Sequence, residues 1–386
     1  MKVAFVGGAL AGGGAERTLL WLADACRREG HEAHVVALTA RGRDAADAGP
    51  GLSVHALDLA GDSAGVWQAL RRNVERLRAI RRVLRGIGPD VVVSFLVEVN
   101  VLVLLAARGT GTPVIVSERT DPRRHSARRP WPSLRRWLYP RAAAVVVQSE
   151  GAAEWARAFC APARVHVIPN AIATRPAPAG VAAPAWMPGG PFVLGVGRLS
   201  AEKGFDLLVR AFARFAPSHP EWSLVLLGEG AERAALESLV AALGLQGRVV
   251  LPGFVESPES AYARATCFVL PSRYEGFPNA LLEAMRAGLP VASFDCDSGP
   301  RDIIHHERDG LLVPPGRVDL LGDAIARLAD DIPLRQRLAA AAPGVVERFG
   351  EARVFAAWAA LMTAASRRQH PAEASDSAVP PGARDV

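Results

Sequence analysis

Two cations in the second half of the chain stand at a spacing that suits an anionic ligand. Arg198 and Lys203 lie five residues apart in the segment GVGRLSAEKGF (195–205). The segment follows a predicted strand, and a turn there would let both cations converge on one anion. Arginine grips phosphate oxygens bidentately and lysine adds a compact charge. Lys203 is one of only two lysines among 45 basic residues, which favours a specific role. A diphosphate is the ligand that this pair predicts.

Two carboxylates follow in the segment YEGFPNALLEAMRAGL (274–289) with seven residues between them. Glu275 falls in a loop and Glu283 about one turn into a helix, so one can meet a sugar hydroxyl and the other a ribose. Apolar neighbours indicate partial burial of Glu283, and a buried carboxylate needs a partner. The predicted helix start presents free N–H groups to a phosphate; its residues are Phe277, Pro278, Asn279 and Ala280.

A glycine-rich turn lies near the start of the chain, in VGGALAGGGAERT (6–18). Gly13 and Gly14 would let a phosphate or sugar approach the start of the following helix. The turn does not match G-x-G-x-x-G, and the next predicted strand ends without an acidic residue, which argues against a dinucleotide site. A plain tight turn and a nicotinamide site remain as alternatives.

A metal site has one candidate, Asp295-Cys296-Asp297, which spells D-x-D. Arg198 and Lys203 already supply the positive charge that a divalent ion would bring to a leaving diphosphate, so we expect neither metal nor cofactor. The four cysteines are scattered without C-x-x-C spacing. They are predicted to be buried small residues in a reducing compartment rather than metal ligands or disulfides.

The charge of the chain is unevenly distributed. Residues 1–175 hold 25 basic and 15 acidic side chains, whereas residues 176–386 hold 20 and 24. This asymmetry predicts an anionic partner for the first half only. Segments 67–85 and 123–141 mix arginines with tryptophan and leucine, which suits an anionic membrane surface or a polyprenyl-diphosphate head group. A solvated helix face is the alternative, and no motif supports nucleic acid.

Short β-rich runs alternate with amphipathic helical stretches, the pattern of parallel sheets covered by helices. Continuous Val/Ile runs predict strands that are buried on both faces. We expect an α/β protein with two doubly wound, Rossmann-like domains facing a central cleft. The predicted parts are a first domain (1–175), a second domain (191–350), a helix crossing back to the first domain (351–366) and a disordered tail (367–386).

The longest apolar stretch, residues 91–107, contains Glu98 and Asn100 and is shorter than the roughly 20 residues of a spanning helix. The first ten residues are followed by a turn typical of a strand and helix rather than of a signal peptide. The sequence therefore predicts a cytoplasmic protein without a membrane span.

Three motifs resemble those of the family 4 glycosyltransferases of the GT-B fold: GGAER (13–17), GRLSAEKG (197–204) and EGFPNALLEAM (275–285). The resemblance covers the chain apart from its tail. It implies transfer with retention of the anomeric configuration and a sugar-nucleotide donor bound in the cleft. In that scheme Arg198 and Lys203 hold the diphosphate, Glu283 the ribose and Glu275 the donor sugar.

Two further segments, SERTDP (117–122) and SGP (298–300), resemble the branch of this family that extends lipid-linked oligosaccharides. Many members place a histidine after the strand that ends near Ser117, where this chain has Glu118 and Arg119. The departure leaves open which residue of the first domain would touch the donor hydroxyls.

The sequence thus predicts a retaining enzyme that moves a hexose or N-acetylhexosamine from a nucleoside diphosphate sugar, expected to be UDP-linked, to a lipid-linked glycan. It would work at the cytoplasmic face of the membrane, with peripheral contact. One alternative is a sugar-nucleotide epimerase of the same fold. Another is a basic membrane or nucleic-acid binding protein without catalysis, which would have no need of Glu275 and Glu283 beside the two cations.

Overall fold

The computed structural model describes residues 1–10, 13–39, 51–59, 66–124, 130–173 and 184–367. Residues 174–183, between the two domains, and the part of the predicted tail beyond Arg367 lie outside these ranges. The sequence predicts that the tail begins at Arg367, but in the structure Arg367 is the last residue of the final helix.

The first domain is built on seven parallel strands in the order β3-β2-β1-β4-β5-β6-β7. The strands are β1 (Lys2–Ala9), β2 (Glu32–Thr39), β3 (Ser53–Ala56), β4 (Val91–Phe95), β5 (Val114–Ser117), β6 (Ala144–Val147) and β7 (Val165–Val167). The helices that join them are α1 (Gly14–Arg28), α2 (Val66–Ile87), α3 (Val97–Ala106), α4 (Trp131–Leu138) and α5 (Glu150–Arg157).

The second domain repeats this plan with six parallel strands in the order β10-β9-β8-β11-β12-β13. The strands are β8 (Phe192–Val196), β9 (Ser223–Leu227), β10 (Val249–Gly253), β11 (Cys267–Leu270), β12 (Val291–Phe294) and β13 (Leu311–Val313). Its helices are α6 (Phe205–Phe215), α7 (Arg233–Ala242), α8 (Glu259–Arg264), α9 (Asn279–Arg286), α10 (Pro300–Ile303), α11 (Val318–Asp330), α12 (Ile332–Ala341) and α13 (Val345–Phe349).

Both sheets have apolar cores on their two faces, because helices cover each side. In the first domain, α2, α3 and α5 pack on one face and α1 on the other. In the second domain, α6, α7, α11 and α12 share one face, and α8, α9 and α13 share the opposite one. The predicted fold class is confirmed: these are two Rossmann-like domains with parallel sheets.

The last helix, α14 (Glu351–Arg367), belongs to the core of the first domain although it follows the second. Val354, Trp358 and Met362 are buried in the cluster that α1 and the first sheet form. At the other end of the crossing, Ile172 pairs with Gly350 in a parallel bridge. The chain therefore passes twice between the domains.

The strand order of each sheet reverses between its first and fourth strands in the chain, β1 and β4 in one sheet, β8 and β11 in the other. Ligands of such sheets bind beyond the carboxyl ends of the strands at this switch point. The glycine-rich turn follows β1, the two-cation segment follows β8, and the loop with Glu275 follows β11. The fold thus brings the predicted motifs to the two switch points.

Candidate functional site

The turn after β8 (residues 197–204, the two-cation turn) and the loop between β11 and α9 (residues 271–278, the carboxylate loop) meet through a direct ion pair. Lys203 Nζ lies 2.7 Å from Oε1 of Glu275, and the hydroxyl of Ser272 donates to the same oxygen at 2.6 Å. Gly204, with a φ of +65°, allows this contact, because a Cβ at that position would collide with the carbonyl oxygen of Pro271. The turn after β8 therefore packs directly on the residues that follow β11.

Arg198 lies in the same turn with an exposed side chain and has no ion-pair partner among the described residues. Close by, α9 begins after Pro278, and no described side chain caps its first turn. The first N–H groups of a helix have no partner within the helix and carry a partial positive charge. Arg198, Lys203 and the start of α9 therefore offer positively charged groups beyond the carboxyl ends of β8 and β11, which is the chemistry that an anionic ligand requires.

Glu283 lies on α9 and is partly buried against Tyr262. The Tyr262 hydroxyl donates to Oε2 of Glu283 at 2.9 Å, which supplies the partner that a buried carboxylate needs. Burial raises the pKa of Glu283, while the hydrogen bond from Tyr262 and the charge of Arg17 act against that shift. Arg17 belongs to α1, so the first domain contributes to the electrostatics of this carboxylate.

The first domain meets the carboxylate loop at two glycines. A Cβ on Gly14, in the first turn of α1, would lie 3.3 Å from Nδ2 of Asn279. A Cβ on Gly276 would lie 2.9 Å from the carbonyl oxygen of Arg119 and 3.0 Å from Cα of Thr120. At Gly13, which precedes α1, the carboxylate of Glu16 folds back over the glycine. The starts of α1 and α9 thus face each other across the cleft, with Phe277 buried and Ala280 partly buried beside them.

The carboxylates of the D-x-D segment are each paired with an arginine. Asp295 contacts Arg301 at 3.1 Å, and Asp297 contacts Arg124 of the first domain at 3.1 Å. Cys296 between them is buried and donates to the carbonyl oxygen of Ser272 at 3.0 Å. Within the described ranges, no group of three or more His, Cys, Asp or Glu side chains is arranged to hold a metal ion.

Glu118, which stands near the position of the family's usual histidine, is turned into the first domain. It accepts a hydrogen bond from the Tyr139 hydroxyl at 2.6 Å and lies 3.4 Å from Nη1 of Arg135. Asn100 donates to Tyr139 at 2.9 Å and extends this buried polar network. Burial is the largest of the causes that raise the pKa of Tyr139. Glu118 therefore positions the end of β5 rather than reaching into the cleft.

The two arginine-rich segments differ in what they expose. On α2, Trp67 is 84% exposed and Leu70 is 56% exposed, whereas Ile80 is fully buried. In the second segment, the interfacial assignment is wrong for Arg135, Leu138 and Tyr139, which are buried; Arg135 pairs with Glu118 and stacks over Trp155. Trp137 is 48% exposed with Arg141 stacked on it. Residues 125–129 of this segment lie outside the described ranges.

Several residues of the site were not predicted from the sequence. Ser272 and Tyr262 hold the two carboxylates, while Asn170 donates to the carboxylate loop and Gln148 packs against Gly276 from the first domain. Asn170 and Gln148 each follow a strand of the parallel sheet, at the edge where ligands of such sheets bind. This position is the feature of the sequence that could have identified them.

Two family models match the chain, one in each domain. Residues 13–171 match the glycosyl transferase 4-like domain, and residues 182–345 match the glycosyl transferases group 1. Among the described residues, the structure contains no helix that is both long and apolar enough to cross a membrane.

Curated relatives and solved structures are similar to parts of this chain or to most of it. An exopolysaccharide phosphotransferase of Streptomyces coelicolor is 36% identical over 61% of this chain and 25% of its own length. The N-acetylgalactosamine-N,N'-diacetylbacillosaminyl-diphospho-undecaprenol 4-alpha-N-acetylgalactosaminyltransferase of Campylobacter jejuni is 29% identical over 66% of this chain and 71% of its own length. Anabaena HepE, solved with UDP and glucose, is 20% identical over 94% of this chain and 99% of that chain, with a TM-score of 0.79, a likeness of fold. For several curated relatives, the chain spans between a quarter and about half of their length.

Proposed function

We propose that this chain, which belongs to the group 1 glycosyltransferases with a glycosyl transferase 4-like first domain, moves a sugar from a nucleoside diphosphate donor to a glycan acceptor. The observation that carries the proposal is the ion pair of Lys203 and Glu275 beside the uncapped start of α9. This arrangement puts a cation for a diphosphate and a carboxylate for a sugar within one hydrogen-bond length of each other.

The donor would lie along the carboxyl ends of β8 and β11. Arg198, Lys203 and the first N–H groups of α9 would bind the diphosphate and stabilise it as it leaves. Glu275 would accept hydrogen bonds from the donor sugar, and Glu283 from the ribose. The first domain would close over the sugar and exclude the water that would hydrolyse the donor.

The finer proposal is a retaining transfer of a hexose or N-acetylhexosamine from a UDP-sugar to a lipid-linked glycan. Retention follows from the family resemblance of the three motifs. The likeness to HepE supports UDP, because that protein was solved in complex with UDP and glucose. The name of the Campylobacter jejuni relative supports a polyprenyl-diphosphate-linked acceptor. A divalent ion is not part of this mechanism, since Arg198 and Lys203 supply the charge.

Peripheral contact with an anionic membrane belongs to the same proposal. Trp67 and Leu70 are exposed on one side of α2, three residues apart, with Arg71 and Arg78 on the same helix. Exposed aromatic and aliphatic side chains beside arginines suit the interface of an anionic bilayer. A Trp67→Ser, Leu70→Ser variant should lose co-sedimentation with vesicles of anionic lipid. Equal binding of the wild type and the variant to anionic vesicles would contradict the proposed membrane contact. Binding of the wild type to neutral vesicles alone would contradict it as well.

The donor proposal is tested by thermal-shift binding against UDP-, GDP- and ADP-sugars. A ligand at 100 times its Kd stabilises a protein by about 2.7 kcal/mol. We expect a UDP-sugar to raise the melting temperature of the wild type and of Arg353→Ala, which removes an exposed cation of α14, but not of Lys203→Ala. EDTA should leave the shift unchanged. Absence of a shift with every nucleotide sugar would refute the donor site.

Transfer itself is measured with a polyprenyl-diphosphate-linked sugar as the acceptor probe. The product should carry an α-linkage when the donor is an α-linked UDP-sugar, read from its anomeric proton by NMR. A β-linked product would disprove retention, and a C2- or C4-epimerised donor without transfer would favour the epimerase alternative.

A further inference from the structure

Asn170 stands where the two domains meet and uses its whole side-chain amide to join them. It follows β7 in the first domain and is buried. Its Oδ1 accepts hydrogen bonds from Nη1 of Arg119 at 3.1 Å and from Nε2 of Gln148. Its Nδ2 donates to the carbonyl oxygen of Phe277 at 3.1 Å and to Oδ1 of Asn279 at 2.6 Å. The accepted bonds come from the first domain and the donated bonds go to the second.

Arg119 is a buried cation without a carboxylate partner among the described residues. Its guanidinium carbon lies 4.1 Å from the ring centroid of Phe95 and 5.5 Å from that of Trp358. Its Nε and Nη2 atoms have no hydrogen-bond partner in the described structure. Burial lowers the pKa of Arg119. The bond to Asn170 is thus the charge-assisted contact that its guanidinium makes, and such bonds are stronger than neutral ones.

The loop that Asn170 holds is the one that carries Glu275 and leads into α9. Gly276 in this loop packs against the Arg119 backbone and Oε1 of Gln148, at 2.9 and 3.0 Å from a Cβ placed there. Asn279 is the first residue of α9. The same first-domain residues therefore fix both ends of the segment between Glu275 and the start of the helix.

The geometry points to Asn170 as a positioning residue that aligns the donor-binding loop with the first domain when the two domains are closed. It acts on Phe277 through a carbonyl oxygen and on Asn279 through a side-chain oxygen, and it does not contact the N–H groups assigned to the diphosphate. Arg198, Lys203 and Glu283 lie on the second domain and can bind the nucleotide without this contact. The inference rests on the proposed function, and it separates turnover, which needs the closed geometry, from donor binding.

The test compares Asn170→Asp with Asn170→Ala in the full chain. Aspartate keeps acceptor oxygens for Arg119 and Gln148, but it cannot donate to Phe277 or Asn279. Both variants lose the two hydrogen bonds that hold the loop to the first domain, so we expect kcat to fall about 10- to 100-fold in each. The Kd for the UDP-sugar, measured by calorimetry, should change less than about threefold.

A wild-type kcat in Asn170→Asp would overturn the inference, because the bonds within the first domain alone would then suffice. A Kd that weakens as much as kcat falls would overturn it as well. If a variant does not fold, Gly276→Ala tests the same contact by a change in the second domain, since its added methyl would lie 2.9 Å from the Arg119 carbonyl oxygen. The same fall in kcat with little change in Kd is expected. Failure of the wild type to bind or transfer any nucleotide sugar would instead refute the proposed function.

Discussion

At the scale of single residues, the candidate site pairs two opposite charges that the proposed donor would separate. Lys203 contacts Glu275 at 2.7 Å, and Ser272 shares the same carboxylate oxygen. A bound diphosphate would compete with Glu275 for Lys203. The carboxylate would then be released for the sugar hydroxyls, so the two ends of the donor would be bound together rather than independently.

Glu283 gives a prediction with a defined pH dependence. Its raised pKa means that the folded protein binds this proton more tightly than the unfolded chain. The contribution to stability is full below the unfolded pKa and is lost as the pH rises through the folded pKa. Glu283→Gln should therefore melt at or above the wild-type temperature at pH 7, and the difference should shrink toward pH 4.

The same variant should bind a UDP-sugar about tenfold or more weakly, because a neutral amide is a poorer acceptor for ribose hydroxyls than a carboxylate. Glu221→Gln, which changes an exposed carboxylate, is the matched control and should alter neither property. A Glu283→Gln variant that is destabilised at pH 7 yet melts like the wild type at pH 4 would contradict the assigned pKa direction.

The sequence predicted the charged residues of the site better than the polar residues that hold them. Arg198, Lys203, Glu275 and Glu283 stand in short motifs, and the strand order explains why Lys203 and Glu275 meet. Asn170 and Gln148 could not be predicted in this way. Asn170 is 107 and 109 residues away from its partners Phe277 and Asn279, and only the folded chain brings them together.

At the scale of helices and strands, the first domain depends on an element that comes from the other end of the chain. Trp358 of α14 is fully buried, stacks against Phe95 of β4 and lies over Arg119. Its indole N–H has no hydrogen-bond partner in the described structure, so its contribution is packing.

Trp358→Ala should destabilise the protein by about 3–5 kcal/mol, the range for removing a large buried aromatic side chain. Arg353→Ala, at an exposed position of the same helix, should stay within about 0.5 kcal/mol of the wild type. The free energies of unfolding are obtained from denaturant melts followed by circular dichroism. A loss below about 1 kcal/mol for Trp358→Ala would mean that α14 is only loosely docked.

The strands were predictable because most are short Val/Ile runs that are buried on both faces. The apolar runs Lys2–Val6 and Ala33–Leu38 predict two of these strands. In the structure, β1 and β2 continue to Ala9 and Thr39, since partly exposed glycine, alanine and threonine extend the pairing after the apolar run ends. The exposure of Trp67 and the burial of Arg135 could not be predicted, because both lie in similar arginine-rich helical patterns. Packing against neighbouring helices decides which side chains stay outside.

At the scale of the whole molecule, the four cysteines report on the integrity of both domains. Cys26 and Cys160 lie in the first domain and Cys267 and Cys296 in the second, all of them free and buried. Burial raises the pKa of Cys26, Cys267 and Cys296 to about 12 and that of Cys160 to about 11. Thiolate, the reactive form, is therefore scarce in the folded protein.

Iodoacetamide at pH 8 should leave the native protein unmodified over the time in which it labels all four thiols in guanidinium chloride, as measured by intact mass. Partial unfolding of one domain would be recognised by labelling of its two cysteines alone. Rapid labelling of any cysteine in the native protein would show that the described packing around that residue is wrong.

The return of α14 to the first domain also has a consequence for biosynthesis. Trp358 is synthesised only after the entire second domain. Until then, the core that β1, β4 and α1 form lacks the side chains of α14 that cover one side of it. The first domain would then mature last although it is translated first. Its open apolar face is the surface that a nascent-chain chaperone would have to shield until synthesis reaches residue 367.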